Sequence, residues 1–233
     1  MSLPAMTASA PRPDLFDRLV AEARPDWSAY VDHAFVRGMG DGTLPQECFR
    51  HYLVQDYLFL IHFARAYALA IYKGRDLREM RASLNGLKAI LDVEMDLHVG
   101  LCAGWGLSAA ELEQAAEAKA TMAYTRYVLE TGLRGDLLDL HVALSPCVIG
   151  YAEIGRRLAA LPGALDDANP YRAWIAEYAG EAYQEVARAA RENLDRLAAD
   201  GMTEARFPRL ATVFRQACRL EADFWEMGMT LAG

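Results

Sequence analysis

Three polar residues interrupt apolar stripes in three separate stretches of this 233-residue chain, and their types suit covalent and proton-transfer chemistry. Read at alternating steps of three and four, one stripe runs Phe49, Leu53, Asp56, Leu60, Phe63, Tyr67. A second runs Leu140, Leu144, Cys147, Tyr151, Ile154, Leu158, and a third Leu210, Phe214, Ala217, Glu221, Phe224, Gly228. A helix face of this period packs into the core and is normally apolar throughout. An ionised carboxylate without a partner there costs several kcal/mol or shifts its pKa to escape the cost. Asp56 and Glu221 therefore pair with another buried group, cap a neighbouring helix, or border a cavity that holds something polar. Cys147 taken alone reads more readily as a small buried hydrophobe than as a reactive thiol.

The surroundings of Cys147 point away from mere packing. Pro146 inside a helical pattern removes a backbone donor and deprives the carbonyl of Val142 of its usual partner, and Gly150 follows one turn later. Helix interiors avoid both residues unless a kink or a ligand needs the room. A thiol, two carboxylates and phenols in one pocket suit addition and elimination on a polarised aromatic ring. The thiolate adds, a carboxylic acid protonates a ring nitrogen, and a carboxylate holds an amino group. Neighbouring carboxylates disfavour a thiolate, so one of them is expected to hold a proton or the ligand to compensate.

The elements that must position these residues are helical. Apolar residues recur every three or four positions with almost no strict alternation, which predicts an all-α bundle. The breaks predict helices over 45–73, 76–103, 115–131, 136–160, 171–198 and 203–230, with Thr43 as an N-cap, Pro45 in a first turn and Ser108 as a second N-cap. Residues 1–13 read as a disordered lead-in, and 14–233 as a single domain. The segment 161–170, rich in Pro, Gly and Asp, has the composition of a loop able to close over a pocket.

Composition limits the function classes. A net charge of −8 offers no attractive field for nucleic acid or anionic lipid, and polar residues interrupt every stretch near the roughly 18 to 20 apolar residues that span a bilayer. No secretory leader is recognisable in the first residues, so a cytoplasmic address is expected. Cys48, Cys102, Cys147 and Cys218 form no CxxC pair and fit neither a zinc site nor a disulfide framework. Glu94 and His98 stand four apart on one helix face, with His62 two turns beyond Asp56, yet the paired Glu-x-x-His pattern of di-metal bundles is absent. His33, His51 and His141 lack partners at ligand spacing, and no GxxxxGK or GxGxxG loop is present.

Five stretches, FRHYLVQDYLFL (49–60), AYTRYVL (123–129), LSPCVIGYAEIG (144–155), NPYRAWIAEYAG (169–180) and LEADFWEMG (220–228), resemble the thiaminase II (TenA) family, cysteine-containing branch, in family order from about residue 15 to 230. The resemblance implies a haem-oxygenase-like all-α fold and hydrolysis of an aminopyrimidine to 4-amino-5-hydroxymethyl-2-methylpyrimidine for thiamin salvage, with thiamin cleavage as a slower related reaction. It implies no metal or organic cofactor and a homotetramer. By the family's roles, Cys147 adds to the ring, Glu221 shuttles protons and Asp56 binds the amino and nitrogen edge. Tyr124, Tyr151 and Tyr178 match family tyrosines near nucleophile and substrate. Phe59 stands where some members carry tyrosine, which keeps an aromatic wall and loses a hydroxyl.

Two other readings stay open on the residues. One is a metal-dependent oxygenase of the same fold, built on Glu94, His98 and His62 with a buried carboxylate. The other is a pyrimidine-binding or regulatory protein without turnover.

Overall fold

The computed structural model describes residues 14–233, and every regular element among them is a helix. The expectation for residues 1–13 lies outside the described residues. Three short helices, α1 (Leu15–Glu22), α2 (Arg24–Val31) and α3 (Ala34–Gly40), precede the first one expected from the sequence. The chain continues through α4 (Gln46–Lys73), α5 (Leu77–Ala89), a π-helical turn (Ile90–Glu94), α6 (Met95–Gly104) and α7 (Ala109–Gln114). It ends with α8 (Lys119–Arg134), α9 (Leu137–Ala159), α10 (Arg172–Ala179), α11 (Glu181–Gly201) and α12 (Phe207–Thr230).

Local chemistry explains where these helices begin and stop. Ser108 caps α7 and Asp136 caps α9, each in a reciprocal box with the acidic residue three positions on. Thr43 is not the cap of α4. Its hydroxyl and amide donate instead to Asp41 Oδ1 at 2.6 and 3.0 Å, and Pro45 takes the N-cap position without a side-chain bond. The helix expected over 171–198 is two helices, because Gly180 adopts an extended conformation (φ −62°, ψ 149°) between them. The Gln184 amide donates to the carbonyls of Tyr178 and Ala152 at 2.8 and 2.9 Å, satisfying a carbonyl the break would orphan and tying α11 to α9. The expected 76–103 helix carries a π-helical turn, a feature frequent at functional sites.

The core is organised around α9, which packs against α2, α3, α4, α8, α10, α11 and α12. Every residue from Leu137 to Ala152 is buried, so this helix has no solvent face over that stretch. By length and composition α9 is apolar enough to cross a bilayer, although polar residues interrupt it, and its surroundings are protein. Pro146 is accommodated without breaking the helix: the Ser145 hydroxyl donates to the Val142 carbonyl at 2.9 Å. The room at Gly150 belongs to Tyr30 rather than to a ligand. A Cβ at Gly150 would fall 2.4 Å from the Tyr30 ring, whose hydroxyl donates to the Pro146 carbonyl at 3.2 Å. At Gly155 a Cβ would fall 2.5 Å from the Tyr178 carbonyl carbon, so glycine there lets α10 press onto α9.

The 161–170 segment is tied to α3 at its C-terminal end. The Asn169 amide donates to the carbonyls of Met39 and Ala164 at 3.0 and 2.9 Å, and Asn169 Oδ1 accepts from the Tyr171 amide at 2.9 Å.

Candidate active site

The three stripes meet in the core, where α4, α9 and α12 pack on one another. Asp56, Cys147 and Glu221 are 4%, 9% and 1% exposed. Burial pushes the Cys147 thiol well above its usual value, and the charges of Glu221, Glu94 and Asp56 add to the rise. The resting cysteine is therefore a thiol. Glu221 is pushed up to about 8, chiefly by burial, against the opposing effect of the Tyr124 hydroxyl, which donates to its Oε1 at 2.7 Å. That rise favours a protonated Glu221 at neutral pH, one of the two outcomes the sequence left open.

Asp56 sits in a chain of hydrogen bonds. Trp174 Nε1 donates to the Tyr52 hydroxyl at 3.2 Å, which in turn donates to Asp56 Oδ2 at 3.1 Å. His98 Nδ1 lies 3.4 Å from the same oxygen, while its Nε2 lies 2.8 Å from the Leu53 carbonyl. A carbonyl only accepts, so Nε2 carries a hydrogen and the contact between Nδ1 and Asp56 calls for one further proton between them. Burial raises the Asp56 carboxyl, and His98 and Tyr52 oppose the rise.

Aromatic rings enclose these groups. Phe59 packs on Tyr124 with ring centroids 5.0 Å apart and on Phe224 at 5.7 Å. Tyr151 lies against Tyr178 at 5.0 Å, Trp225 at 5.4 Å and Trp174 at 5.8 Å. All seven residues expected at the site are thus buried, and five of them fall in two contacting groups: Phe59, Tyr124 and Glu221, and Tyr151 with Tyr178.

A cavity of about 740 Å³ opens beside them, between the stretch from Ala89 through α6 and helices α10 and α11. Its lining includes Glu94, His98, Trp174 and Tyr178, and does not include Cys147, Glu221, Tyr124, Phe59 or any residue of 161–170. His98, Trp174 and Tyr178 belong both to this lining and to the groups around Asp56 and Tyr151, so they are the wall between cavity and core.

Sequence reasoning missed Tyr52, Trp174 and Tyr183. Tyr52 stands four residues before Asp56, a spacing that places both on one helix face and would have found it. Glu94 and His98 do share a wall, although not as metal ligands: His98 is engaged by Leu53 and Asp56, and His62 Nε2 turns to Glu117 at 2.9 Å. Among the described residues no three His, Cys, Asp or Glu side chains are grouped to hold a metal ion. Cys48, Cys102 and Cys218 are buried free thiols.

A family model described as TENA/THI-4/PQQC matches residues 20–231. The chain belongs to that family. The aminopyrimidine aminohydrolase of Halalkalibacterium halodurans is 43% identical over 210 residues, spanning 90% of this chain and 92% of that one. The aminopyrimidine aminohydrolase of Helicobacter pylori is 32% identical over 209 residues, spanning 90% and 95%. Among solved structures, a TenA family transcription regulator from Silicibacter sp. TM1040 superposes with a TM-score of 0.87 at 46% identity, covering 96% of this chain and all of that one. Heme oxygenase-1 from Synechocystis sp. PCC6803 superposes with a TM-score of 0.60 at 16% identity, covering 92% and 91%. The TENA/THI-4/PQQC chain thus has the haem-oxygenase-like all-α fold, as its sequence motifs implied.

Proposed function

We propose that this protein is an aminopyrimidine aminohydrolase of thiamin salvage, converting 4-amino-5-aminomethyl-2-methylpyrimidine to the 5-hydroxymethyl compound, with thiamin as a slower substrate. The observation that carries this reading is the proton inventory: a buried thiol at Cys147, a buried acid at Glu221 held by Tyr124, and a carboxyl at Asp56 shared with His98 and Tyr52. Family membership and the aminohydrolase relatives support it.

In this mechanism Asp56 takes the amino group and adjacent ring nitrogen, and Phe59, Tyr124, Tyr151 and Tyr178 form the aromatic surround. Glu221 gives its proton to a ring nitrogen and receives the thiol proton, so that S–H adds across a ring C=N bond. Electrons returning through the ring expel ammonia from the protonated aminomethyl group. Water then adds to the exocyclic carbon, giving up one proton to the released ammonia, and the ring nitrogen returns its proton by way of Glu221 to the sulfur, so that Cys147 departs as the thiol. No step calls on a metal or organic cofactor. The same reading places the protein in the cytoplasm and as a homotetramer, the latter checked by light scattering on a sizing column.

The test is incubation with the aminomethylpyrimidine, wild type beside Cys147→Ser, with the hydroxymethyl product followed by chromatography and mass detection. Product from wild type alone supports both reaction and nucleophile. An equal rate from the serine variant refutes covalent catalysis by Cys147. Absence of product from wild type, with ligand-dependent thermal stabilisation, supports the regulatory reading instead.

A further inference from the structure

We propose that α5 is an assembly helix: its exposed apolar seam seats on α11 of a second copy of this chain, and that contact holds in place the α5–α6 arm that carries His98. The proposal rests on the homotetramer reading and adds the surface through which copies meet and the part of the site that depends on it.

The polarity of α5 is inverted. Its buried residues are Glu79 and Ser83, whereas Leu77, Met80 and Leu84, with Leu91 just beyond its end, are 64%, 37%, 43% and 49% exposed. With half-buried Leu87 completing the series, these residues recur at alternating steps of three and four, the seam by which one helix packs along another. A helix at rest on a protein surface turns such a stripe inward and its polar residues outward. Contiguous apolar surface of this kind marks an association site rather than scattered exposure. The inner face anchors α5 weakly. The helix packs chiefly on α4, and the Ser83 hydroxyl has no hydrogen-bond partner. Glu79 is held mainly by Arg75, which lies in the turn before α5 itself, at 2.6 Å.

Charge identifies the occupant. Arg78, Arg81 and Lys88 are exposed on α5, in a chain whose net charge is −8. Arg81 and Lys88 flank the seam, so two copies of α5 laid on each other would oppose like charges. The outer face of α11 fits instead: Ala182, Val186 and Ala189 are exposed at steps of four and three, with Glu181 and Glu185 beside them. Arg188 on that helix is shared between Glu185 and Glu192, which leaves the face net negative. Leucines of one helix enter the gaps that alanines leave on the other, and the flanking charges are opposite. Both surfaces border the same cavity, whose lining takes in Ala89 of α5 with Ala182 and Val186 of α11. A two-fold contact can therefore use both at once, each α5 on the other copy's α11. Beyond the seam, α5 runs through the π-helical turn into α6, where His98 meets Asp56 and the Leu53 carbonyl. Covering the seam fixes the arm whose far end faces the catalytic carboxylate.

The test is a complementary pair of variants, measured by light scattering on a sizing column. Arg81→Glu with Lys88→Glu makes α5 acidic, and Glu181→Lys with Glu185→Lys makes the α11 face basic. Each protein alone is expected to run as a smaller species than wild type, and an equimolar mixture to recover the wild-type mass, because only the mixed contact pairs opposite charges on both sides. Leu84→Glu, at an exposed position, is expected to dissociate likewise. Helical content by circular dichroism, unchanged in each variant, is the folding control. The dissociated proteins are expected to lose at least about fivefold in kcat/KM on the aminomethylpyrimidine, and the mixture to regain it. Variants that keep the wild-type mass, or a mixture that stays dissociated, overturn the docking surface and leave the homotetramer reading standing. A monomeric wild type overturns both, and its sedimentation with phosphatidylglycerol vesicles would give the seam to lipid. Dissociation with kcat/KM unchanged overturns the dependence of the His98 arm on assembly. The mass measurements decide the surface whether or not the protein turns over the aminomethylpyrimidine.

Discussion

Replacing Glu221 by glutamine changes how the stability of the fold depends on pH, and the size of the change follows from burial. In the unfolded chain this carboxyl titrates near 4.5, and in the folded protein it is pushed up to about 8. Below the lower value both states hold the proton and nothing is lost. Between the two the unfolded chain has released the proton while the native core keeps it, so stability falls as pH rises and levels off above the folded value. At about 1.4 kcal/mol per pH unit, the loss reaches ~5 kcal/mol at its limit and roughly 3 kcal/mol between pH 5 and pH 8. Glutamine retains an oxygen to accept the Tyr124 hydroxyl and carries no charge to desolvate. The gap in unfolding free energy between Glu221→Gln and wild type should therefore widen by roughly 3 kcal/mol in the variant's favour from pH 5 to pH 8. Glu94 and Asp56 are raised in the same direction, so their contributions remain in both proteins and cancel in the comparison. Urea unfolding at four pH values and one protein concentration measures it. A gap constant to within about 1 kcal/mol would mean that Glu221 is ionised at neutral pH, and the acid role assigned to it would fall.

Other outcomes follow from named contacts. Cys147→Ser should abolish turnover while retaining binding of the hydroxymethyl product, measured by mass-detected assay and calorimetry. His98→Gln keeps a donor for the Leu53 carbonyl and removes the group facing Asp56, whereas His98→Asn keeps an amide toward Asp56. The glutamine variant should lose roughly 10- to 100-fold in kcat/KM with an altered acidic limb of the pH profile, and the asparagine variant less; equal profiles for both would reduce His98 to packing. Gly155→Ala brings a Cβ within 2.5 Å of the Tyr178 backbone, so denaturant unfolding should show a loss of roughly 1–3 kcal/mol, with KM raised as α10 shifts.

The carboxylates and thiol were legible in the sequence because the helical period assigns every third or fourth residue to the core, and a charge there breaks the pattern by itself. Tyr52, Trp174 and Tyr183 were not, because an aromatic residue on an apolar stripe is ordinary and its hydroxyl or ring nitrogen acquires meaning only when the partner is in view. The stripe on α9 understated the case, since residues 137–152 of that helix are buried on every side and periodicity alone cannot reveal this. Pro146 and Gly150 announced a vacancy in the packing but not its occupant, which comes from Tyr30 on a helix more than a hundred residues earlier in the chain. The division at Gly180 was hidden for a related reason. A single glycine is tolerated inside many helices, and only the Gln184 side chain bonding to Tyr178 and Ala152 makes the break favourable here.

That break is also what shapes the site. Tyr178 before Gly180 and Tyr183 after it both face the cavity, while Gly155 lets the first of them reach Tyr151 beside Cys147. A continuous helix over 171–198 would turn by the ordinary 100° per residue between these positions and carry the second ring off the wall. The resting core holds its protons on Cys147, on Glu221 and between Asp56 and His98, so addition to the ring needs only internal transfers.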